Sequence, residues 1–453
     1  MYNCGPTVYS YAHIGNFRSF LLGDLLRRVL EQQGFDVLQV MNITDVGHLT
    51  QDDLDAGEDK VLKAARTESL TPEQLTARYA EAFFEDLDAL GIQRAHHYPR
   101  ASEHVADMVE HVRRLEELGY AYRSGDTMLF DVTRFEGYGK LSGKRLDDLR
   151  AGSGGRVSDE ELAAKRSPFD FRLWKVDPDH LMKWDSPWGE GYPGWHIECS
   201  AMSMHYLGET IDIHTGGEDN VFPHHESEIA QSEALTGKPF AKYWIHAQHL
   251  MINGQKMSKS LGNTYRVQRY EEELGTSPLA LRLAILAMHH GKQANLSDDA
   301  VGAAQETVDR LANFERRMKG RTGEGGLEEA RRRIVEFGES WDKALGDDLN
   351  VSAALAAVHD FITDVNRLEP GARAAEEAIA AMRRADEVLG VMPPPGDEAG
   401  AEDAEEIDRL VAQRGQLRKE RRFAEADVIR EQLAERGVVL EDGAQGTTWR
   451  VVR

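Results

Sequence analysis

Two stretches near the start of the chain carry the periodicities of a helix and of the strand that follows it. In residues 15–33, GNFRSFLLGDLLRRVLEQQ, apolar positions such as Phe17 and Leu21 recur at helical spacing, and Gly34 is a natural stop. Residues 36–44, DVLQVMNIT, are almost continuously apolar, which is typical of a parallel strand covered on both faces. Together they predict the start of a Rossmann-like, doubly wound parallel α/β sheet.

The pattern changes further along the chain. Residues 101–144 contain a helical pattern and two short strands, YAYRS and TMLFDV, which we interpret as an insertion in the sheet domain. The chain is then helical from the loop at 256 almost to residue 390, and the proline- and acid-rich 393–406 is typical of a flexible linker. The predicted division is 1–98 and 151–255 for the two halves of the sheet domain, 99–150 for the connective insertion, 256–315 for a lysine-containing loop region, 316–392 for an α-helical bundle, 393–406 for the linker, and 407–453 for a small mixed α/β unit.

Composition restricts the class of protein. The 453 residues include 54 Lys and Arg and 78 Asp and Glu, so the net charge is −24, the opposite sign to a protein that coats a nucleic-acid duplex. No apolar run approaches the ~18 residues of a membrane span, and the start lacks the pattern of a signal peptide. Two cysteines provide no disulfide framework. We therefore expect a cytoplasmic protein with no membrane partner, in which thiols serve as ligands or nucleophiles.

Two short motifs carry the chemistry of a phosphate site. HIGN at 13–16 lies where a turn enters the first helix, and a helix N-terminus favours an anion that His13 could also contact. KMSKS at 256–260 lies in a glycine-flanked loop suited to closing over a triphosphate, with charge from Lys256 and Lys259. The alternatives are a histidine that only caps the helix and lysines that are only solvated surface.

Four side chains form a candidate zinc set. Cys4, Cys199, His224 and Glu228 offer two thiolates, an imidazole and a carboxylate, which zinc accepts. His224 and Glu228 are four residues apart and therefore share one face of a helix. From the sequence alone His225, three residues before Glu228, is an equal alternative to His224. The two cysteines could otherwise be small buried hydrophobes.

HIGN and KMSKS, in this order and context, resemble the two signature motifs of class I aminoacyl-tRNA synthetases. The opening CGPTVYSYAHIGN resembles the first motif of the cysteinyl-tRNA synthetase family. The similarity spans the chain through NITD (42–45), GWHIECSAM (194–202), HTGGEDNVFPHHESEIAQSEA (214–234), DDLN (347–350) and GTTWR (446–450). The resemblance implies activation of L-cysteine by ATP to cysteinyl-adenylate, with release of pyrophosphate, and transfer of cysteine to tRNA-Cys. We expect a monomer.

The resemblance also implies roles by position. His13 and Asn16 would stabilise the transition state at the α-phosphate, and Lys256 and Lys259 the departing pyrophosphate, with Mg²⁺ accompanying ATP. The zinc, one ion per subunit, would be held by Cys4, Cys199, His224 and Glu228, where the match selects His224, and it would recognise the substrate thiolate. Substrate-pocket residues would be Thr44, Trp195 and His196, with core packing as the alternative for Trp195. The expected ATP-binding residues are Gly5, Pro6, Thr7, His13, Gly15, Asn16, Gly216, Gly217, Asp219 and Lys259.

The end of the chain is its least acidic part. Residues 407–453 contain ten basic and eight acidic residues, a net charge of +2. The resemblance implies that this unit recognises the anticodon, that 316–392 binds the anticodon stem, and that 256–315 includes a further stem contact. The predicted tRNA contacts are Arg414, Arg418, Arg421, Arg422, Trp449 and Arg450. The alternative is an ordinary solvated helix face.

One departure and two rival functions follow from the same motifs. Members of the family usually carry a leading strand before the first cysteine, whereas Met1 is only three residues before Cys4, so we expect either a late start or a sheet without that strand. One rival is a cysteine ligase of mycothiol biosynthesis, which lacks the anticodon unit. The other is a non-catalytic RNA-binding paralogue, against which the intact HIGN and KMSKS residues argue.

Overall fold

The structure is a computed structural model that describes residues 1–47, 49–51, 56–144, 165–257, 264–392, 401–436, 438–443 and 446–451. Its helices are α1 (Ile14–Gln32), α2 (Lys60–Glu68), α3 (Pro72–Ala89), α4 (Val105–Glu117), α5 (Trp195–Leu207), α6 (Glu226–Thr236), α7 (Gln268–Glu272), α8 (Pro278–Leu286), α9 (Asp298–Lys319), α10 (Leu327–Gly346), α11 (Val351–Leu368), α12 (Ala372–Leu389), α13 (Ala401–Lys419) and α14 (Phe423–Glu435). Its strands are β1 (Tyr2–Asn3), β2 (Val40–Met41), β3 (Leu49–Gln51), β4 (Ala56–Asp59), β5 (Ala121–Ser124), β6 (Thr127–Phe130), β7 (Phe171–Val176), β8 (Gly191–Pro193), β9 (Ile211–Gly217), β10 (Ala241–Ala247), β11 (Leu250–Ile252), β12 (Gln255–Lys256), β13 (Ala294–Leu296), β14 (Val438–Gly443) and β15 (Gly446–Val451). Within these ranges, every helix is too short or too polar to cross a membrane.

The chain divides into two compact units. The first comprises Met1–Val267, Ile285–Ser297 and Trp341–Ala356, and the second comprises Gln268–Ala284, Asp298–Ser340 and Ala357–Arg453.

A parallel sheet forms the centre of the first unit. Its strand order is β10-β9-β1-β2, and all neighbouring strands run parallel, which confirms the predicted doubly wound α/β class. β1 is only two residues long, yet it lies between β9 and β2, where Tyr2 pairs with both Val40 and His214. The backbone N–H of Cys4 then donates to Thr215 O at 3.1 Å. Cys4 is therefore fixed directly after a central strand.

The first helix forms where it was predicted, whereas the strand after it is shorter than predicted. In α1, Phe17 and Leu21 are fully buried on the face towards the core. The predicted strand 36–44 is realised only at β2. Beyond β2, Ile43 N–H donates to Pro99 O at 2.8 Å and Thr44 N–H donates to Pro6 O at 3.0 Å. Beyond β2, the backbone therefore continues to pair on both sides, but only as single parallel bridges, Thr44 with Thr7 and Ile43 with Arg100.

The predicted insertion contributes to a second, antiparallel sheet. α4 and the two predicted strands, β5 and β6, are present, and the sheet continues in the order β5-β6-β7-β8. β7 and β8 belong to the segment predicted as the second half of the parallel domain. β7 pairs with β6, where the stacked rings of Phe130 and Phe171 lie 4.9 Å apart, and β8 pairs with β7. Residues 145–164, between β6 and β7, lie outside the described residues.

The second unit contains most of the residues predicted as a helical bundle, all but Trp341–Ala356, and the small mixed α/β unit. α9 and α12 are joined by an ion pair between Glu315 and Arg383. At the end of the chain, α13 and α14 pack with the antiparallel pair β14–β15 around a core that includes Leu433 and Val438. Residues 393–400 of the predicted linker lie outside the described residues, and α13 begins at Ala401. The last residues of that linker, AEDAEE, are therefore helical, as their alanine and glutamate content favours.

Candidate active site and metal centre

A cavity of about 430 Å³ lies at the carboxyl ends of the parallel strands. Each strand is followed by a residue of its wall: Cys4 after β1, Thr44 after β2, Asp219 after β9 and Gln248 after β10. The carboxyl edge of an open parallel sheet is where such folds bind ligands. The parallel sheet therefore brings residues that are distant in the sequence to one crevice.

The N-terminus of α1 forms one end of this cavity. The Gly15 N–H donates to His13 Nδ1 at 3.2 Å, and the His13 N–H donates to Asn16 Oδ1 at 3.0 Å. This reciprocal cap fixes both side chains. Because Nδ1 of His13 accepts a hydrogen bond, the ring proton is placed on Nε2, which leaves His13 suited to donate to an anion. The helix N-terminus favours the same charge.

The loop after β1 approaches the neighbouring strand closely. The Gly5 N–H donates to Asn42 Oδ1 at 2.8 Å, and the Val8 N–H donates to Thr44 O at 3.0 Å. A Cβ atom added at Gly5 would lie 1.7 Å from the backbone oxygen of Asn42. Gly5, Pro6 and Thr7 all line the cavity. Only glycine fits at the first of these positions.

The predicted zinc set lies at another part of the cavity wall, called the metal end here, which Cys4, Cys199 and His224 line. The ligand atoms of Cys4, Cys199, His224 and Glu228 all lie within 4.8 Å of one another, and the four residues are buried. α5 carries Cys199 and α6 carries Glu228, while His224 lies in a π-type turn, Val221–His225, just before α6. His224 Nε2 is 3.1 Å from Glu228 Oε1. Together with the segment after β1 that carries Cys4, four separate parts of the chain therefore converge on one point.

The charges at this end suit a cation. The hydrogen bond with Cys4 lowers the pKa of Cys199 to about 6, although burial opposes this. Burial raises the pKa of Cys4 well above its usual value. Burial also opposes the ionised forms of Glu228 and His224, but histidines lower the pKa of Glu228, and Cys199 with Glu228 raises that of His224 to about 10. A buried thiolate and carboxylate beside one imidazole are the donors that zinc binds, so the residues fit that metal.

A second ligand set overlaps the first. Cys4 and Glu228 are shared, and His214 and His225 take the other places. His225 Nε2 is 3.3 Å from Cys4 Sγ but 3.9 Å from Glu228 Oε1. His214 Nε2 is 2.8 Å from Glu228 Oε2. The ligand distances therefore allow either His224 or His225 beside the Cys4 thiol. Of these two histidines, His224 lines the cavity.

The three predicted substrate residues have different positions. Thr44 and Trp195 line the cavity, and the Trp195 ring is stacked on that of His224 with centroids 4.3 Å apart. His196 is buried and lies behind His224, with the two Nδ1 atoms 2.9 Å apart. His196 therefore contacts a candidate ligand and is set back from the cavity wall.

Of the other residues predicted to bind the nucleotide, some line the cavity and others do not. Gly15, Gly217 and Asp219 line the cavity. Gly216 lies one residue earlier on β9, where an added Cβ would be 2.8 Å from the His225 ring. Lys256 belongs to β12, and its side chain lies outside the described residues, as does the whole of Lys259. The two lysines therefore remain a prediction.

The predicted tRNA contacts require one correction. Arg414 is only 4% exposed, and its guanidinium donates to Thr447 Oγ1 at 3.3 Å, so it stabilises the C-terminal unit from inside and we drop it from the tRNA set. Arg418 and Arg421 are exposed, and Arg422 forms an ion pair with Glu425. The side chains of Trp449 and Arg450, both in β15, lie outside the described residues.

Asn42 and Arg18 are among the cavity residues that were missed from the sequence. Asn42 joins Gly5 to Thr44, because its Nδ2 also donates to Thr44 Oγ1 at 3.0 Å. The spacing of two between Asn42 and Thr44 was the available signal, since it places both on one side of an extended segment. Arg18 lines the cavity and donates to the backbone oxygens of His289 and Lys292, and burial lowers its pKa to about 10. These long-range contacts leave no local signature.

Comparison with known proteins shows the same family along the chain. Residues 1–306 match the tRNA synthetases class I (C) catalytic domain, 340–392 the DALR domain, and 402–450 the cysteinyl-tRNA ligase anticodon binding domain. A cysteine–tRNA ligase of Chlorobaculum tepidum is 44% identical, with 99% of this chain and 94% of the relative covered. One of Clostridioides difficile is 40% identical, with 99% and 95% covered. Mycobacterium tuberculosis methionyl-tRNA synthetase bound by methionyl-adenylate shares the fold, with a TM-score of 0.62 at 16% identity over 87% of this chain and 92% of that one.

Proposed function

Because the chain belongs to the cysteine–tRNA ligase family of class I synthetases, we propose that it joins L-cysteine to tRNA-Cys in two steps. ATP first activates the carboxylate of cysteine to cysteinyl-adenylate, with release of pyrophosphate. The cysteinyl group then passes to the tRNA. The observation that carries this proposal is that one cavity has a thiol-binding donor set at one end and a helix N-terminus at the other.

Selection of cysteine is assigned to the buried end. We propose that Cys4, Cys199, His224 and Glu228 hold zinc. When bound, the metal would supply a Lewis acid that a substrate thiolate can join and a serine hydroxyl joins poorly. Rejection of a substrate that cannot make such a polar bond reaches about 10⁴-fold, far more than the shape of an apolar pocket provides. Thr44 and Trp195 would line the space for the amino acid.

The overlapping histidines allow the ligand set to be tested. We expect His224→Asn to lower the zinc content of the purified chain and His225→Asn to retain it, because His224 lines the cavity and lies closer to the Glu228 carboxylate. Zinc per chain is measured by elemental analysis. The reverse result would assign the metal to His225 and contradict our choice.

Activation is assigned to the α1 end. His13 Nε2 and the first backbone N–H groups of α1 would bind the α-phosphate as charge develops on it, with Asn16 fixing the cap. Positioning and charge stabilisation supply most of the catalysis in such a displacement. Gly5, Pro6, Thr7, Gly15, Gly216, Gly217 and Asp219 would enclose the nucleotide. Lys256 and Lys259 would neutralise the pyrophosphate, together with the Mg²⁺ that accompanies ATP.

The partners and setting complete the proposal. We propose that the helical bundle binds the anticodon stem of tRNA-Cys and that the C-terminal unit reads the anticodon, with Arg418, Arg421, Arg422, Trp449 and Arg450 as contacts. Both cysteines are free thiols, which supports action in the reducing cytoplasm. We further propose that the chain acts as a monomer.

ATP–pyrophosphate exchange tests the function directly. We expect exchange with cysteine, none above background with serine, loss of exchange after chelation, and charging of purified tRNA-Cys. No exchange with cysteine would contradict the activity. Exchange without charging would favour the mycothiol-type cysteine ligase, and RNA binding without exchange would favour the non-catalytic paralogue. Continued rejection of serine after complete removal of zinc would show that the metal does not select the substrate.

A further inference from the structure

A second cluster of metal-ligating side chains lies outside the cavity, where α4 meets α5. His104 is the N-cap of α4, Asp107 lies in its first turn, and His205 lies in the last turn of α5. Asp107 Oδ2 is 3.0 Å from His104 Nδ1 and 3.1 Å from His205 Nδ1, and the three ligand atoms all lie within 4.8 Å. Two imidazoles from distant parts of the sequence thus share one carboxylate oxygen.

We propose that His104, Asp107 and His205 bind a divalent first-row transition-metal ion, with zinc as the reference ion. Zinc–nitrogen and zinc–oxygen bonds of about 2.0–2.2 Å at angles of roughly 90–110° separate neighbouring ligand atoms by about 2.9–3.4 Å. Both spacings to the carboxylate oxygen fall within this range. Imidazole and carboxylate donors together favour zinc, cobalt or nickel over calcium and magnesium, which prefer oxygen alone.

One histidine of the cluster already has a hydrogen-bond partner of the kind that orients ligands in metal sites. His104 Nε2 is 3.2 Å from the Tyr206 hydroxyl, and the Tyr206 ring packs against that of His97 with centroids 4.8 Å apart. A metal-bound histidine donates its other ring N–H to an acceptor that orients it. Because a hydroxyl can donate or accept, Tyr206 can hold the ring both when His104 Nδ1 carries a proton and when it binds a metal.

The exposure of the cluster distinguishes it from the buried centre. The side chains of Asp107 and His205 are 39% and 49% exposed, so an ion has an entry path and water can complete its coordination. Such an ion would exchange with solvent more easily than one held among buried thiols. It would also join α4 of the insertion to α5, the helix that carries Cys199.

Zinc stoichiometry in the full-length protein tests the proposal. After dialysis against micromolar zinc and removal of unbound metal, we expect two ions per chain in the parent and one in His205→Asn and in Asp107→Asn. Glu110→Gln is the matched control, because Glu110 is an exposed carboxylate on the next turn of α4 that pairs with Arg113. It should retain two ions.

Two further measurements separate this site from the buried one. Cys199→Ser, which alters the buried set, should keep the surface ion. Added zinc should raise the melting temperature of Glu110→Gln more than that of His205→Asn, because only the control retains the second site. Equal stoichiometry in His205→Asn and Glu110→Gln would overturn the proposal, whereas loss of the buried ion alone would appear as a parent with one ion that His205→Asn removes. His205 is exposed, so its substitution leaves the fold intact.

Discussion

The two ends of the cavity hold their functional groups in opposite ways. At the metal end Cys199, His224 and Glu228 are buried; oppositely charged neighbours favour the ionised forms of His224 and Glu228, and a hydrogen bond with Cys4 favours that of Cys199. At the α1 end His13 and Asn16 are partly exposed, and backbone hydrogen bonds within one helical turn hold them.

This difference follows from what each end has to recognise. A thiol differs little from a hydroxyl in shape, so selection requires a polar bond made in a desolvated site, where interactions between charges are strongest. A triphosphate brings its own charge and needs only preorganised donors with open access. We therefore expect substitution of a single ligand at the metal end to abolish both metal binding and activity. Substitution at the α1 end should slow the reaction and leave the fold intact.

The largest effect is expected for Cys199→Ser. A serine hydroxyl is a poor zinc ligand, so this variant should lose its buried metal and about 10³-fold or more of kcat/KM for cysteine in the exchange reaction. Zinc content and exchange are measured on the same preparation. Ser203→Ala is the control on α5, because the Ser203 hydroxyl bonds only to its own helix at Ser200 O, and it should remain near the parent. If Cys199→Ser kept its full zinc content and activity, the proposed difference between the metal end and the α1 end would be wrong.

The next effect is expected for His13→Asn, at the other end. Asparagine retains an acceptor for the helix cap but loses the Nε2 donor, so exchange should slow by about 10²–10³-fold with zinc content and melting temperature unchanged. His13→Ala is the matched variant, since it removes the cap as well and should cost about 1 kcal/mol of stability. If the His13→Asn variant catalysed ATP–pyrophosphate exchange at the parental rate, His13 would act only as the cap of α1.

A smaller effect is expected for His196→Gln, which tests the support behind the metal end. His196 contacts His224 ring to ring, and loss of a group that orients a ligand lowers metal affinity by about 10–100-fold. Competition for zinc against a chelator measures this affinity, and the KM for ATP should not change. His249→Gln is the control, because His249 lines the cavity and pairs with Glu218. Equal zinc affinities for the two variants would show that His196 packs in the core without orienting a metal ligand.

The features predicted correctly from the sequence are local or carried by motifs. The start and period of α1 follow from the residues of one short stretch, whereas its capping by His13 had been given only as the alternative to a phosphate role. The clustering of Cys4, Cys199, His224 and Glu228 within 4.8 Å was predicted from their chemistry and from the family resemblance, whereas the choice of His224 over His225 stays a prediction.

The features missed depend on contacts between distant segments. β7 and β8 join the sheet of the insertion, and Arg414 bonds to Thr447 inside its unit. The hydrophobic pattern of the sequence around each of these residues does not depend on whether its distant partner is present. Only the tertiary pairing decides where the side chain points.

The smallest effect is expected where a glycine faces a flexible neighbour. A Cβ at Gly5, beside the metal end, would lie 1.7 Å from the backbone oxygen of Asn42, whereas a Cβ at Gly15 in α1 would lie 2.3 Å from the terminal methyl of Met257. Backbone cannot yield without breaking its pairing, so Gly5→Ala should lower the free energy of unfolding by about 1–3 kcal/mol. The methionine end can rotate away, whereas the His13 ring, 3.0 Å from that Cβ, must shift slightly, so Gly15→Ala should cost less than Gly5→Ala. Denaturant unfolding compares the two variants, and equal losses would mean that the α1 end is packed as rigidly as the metal end.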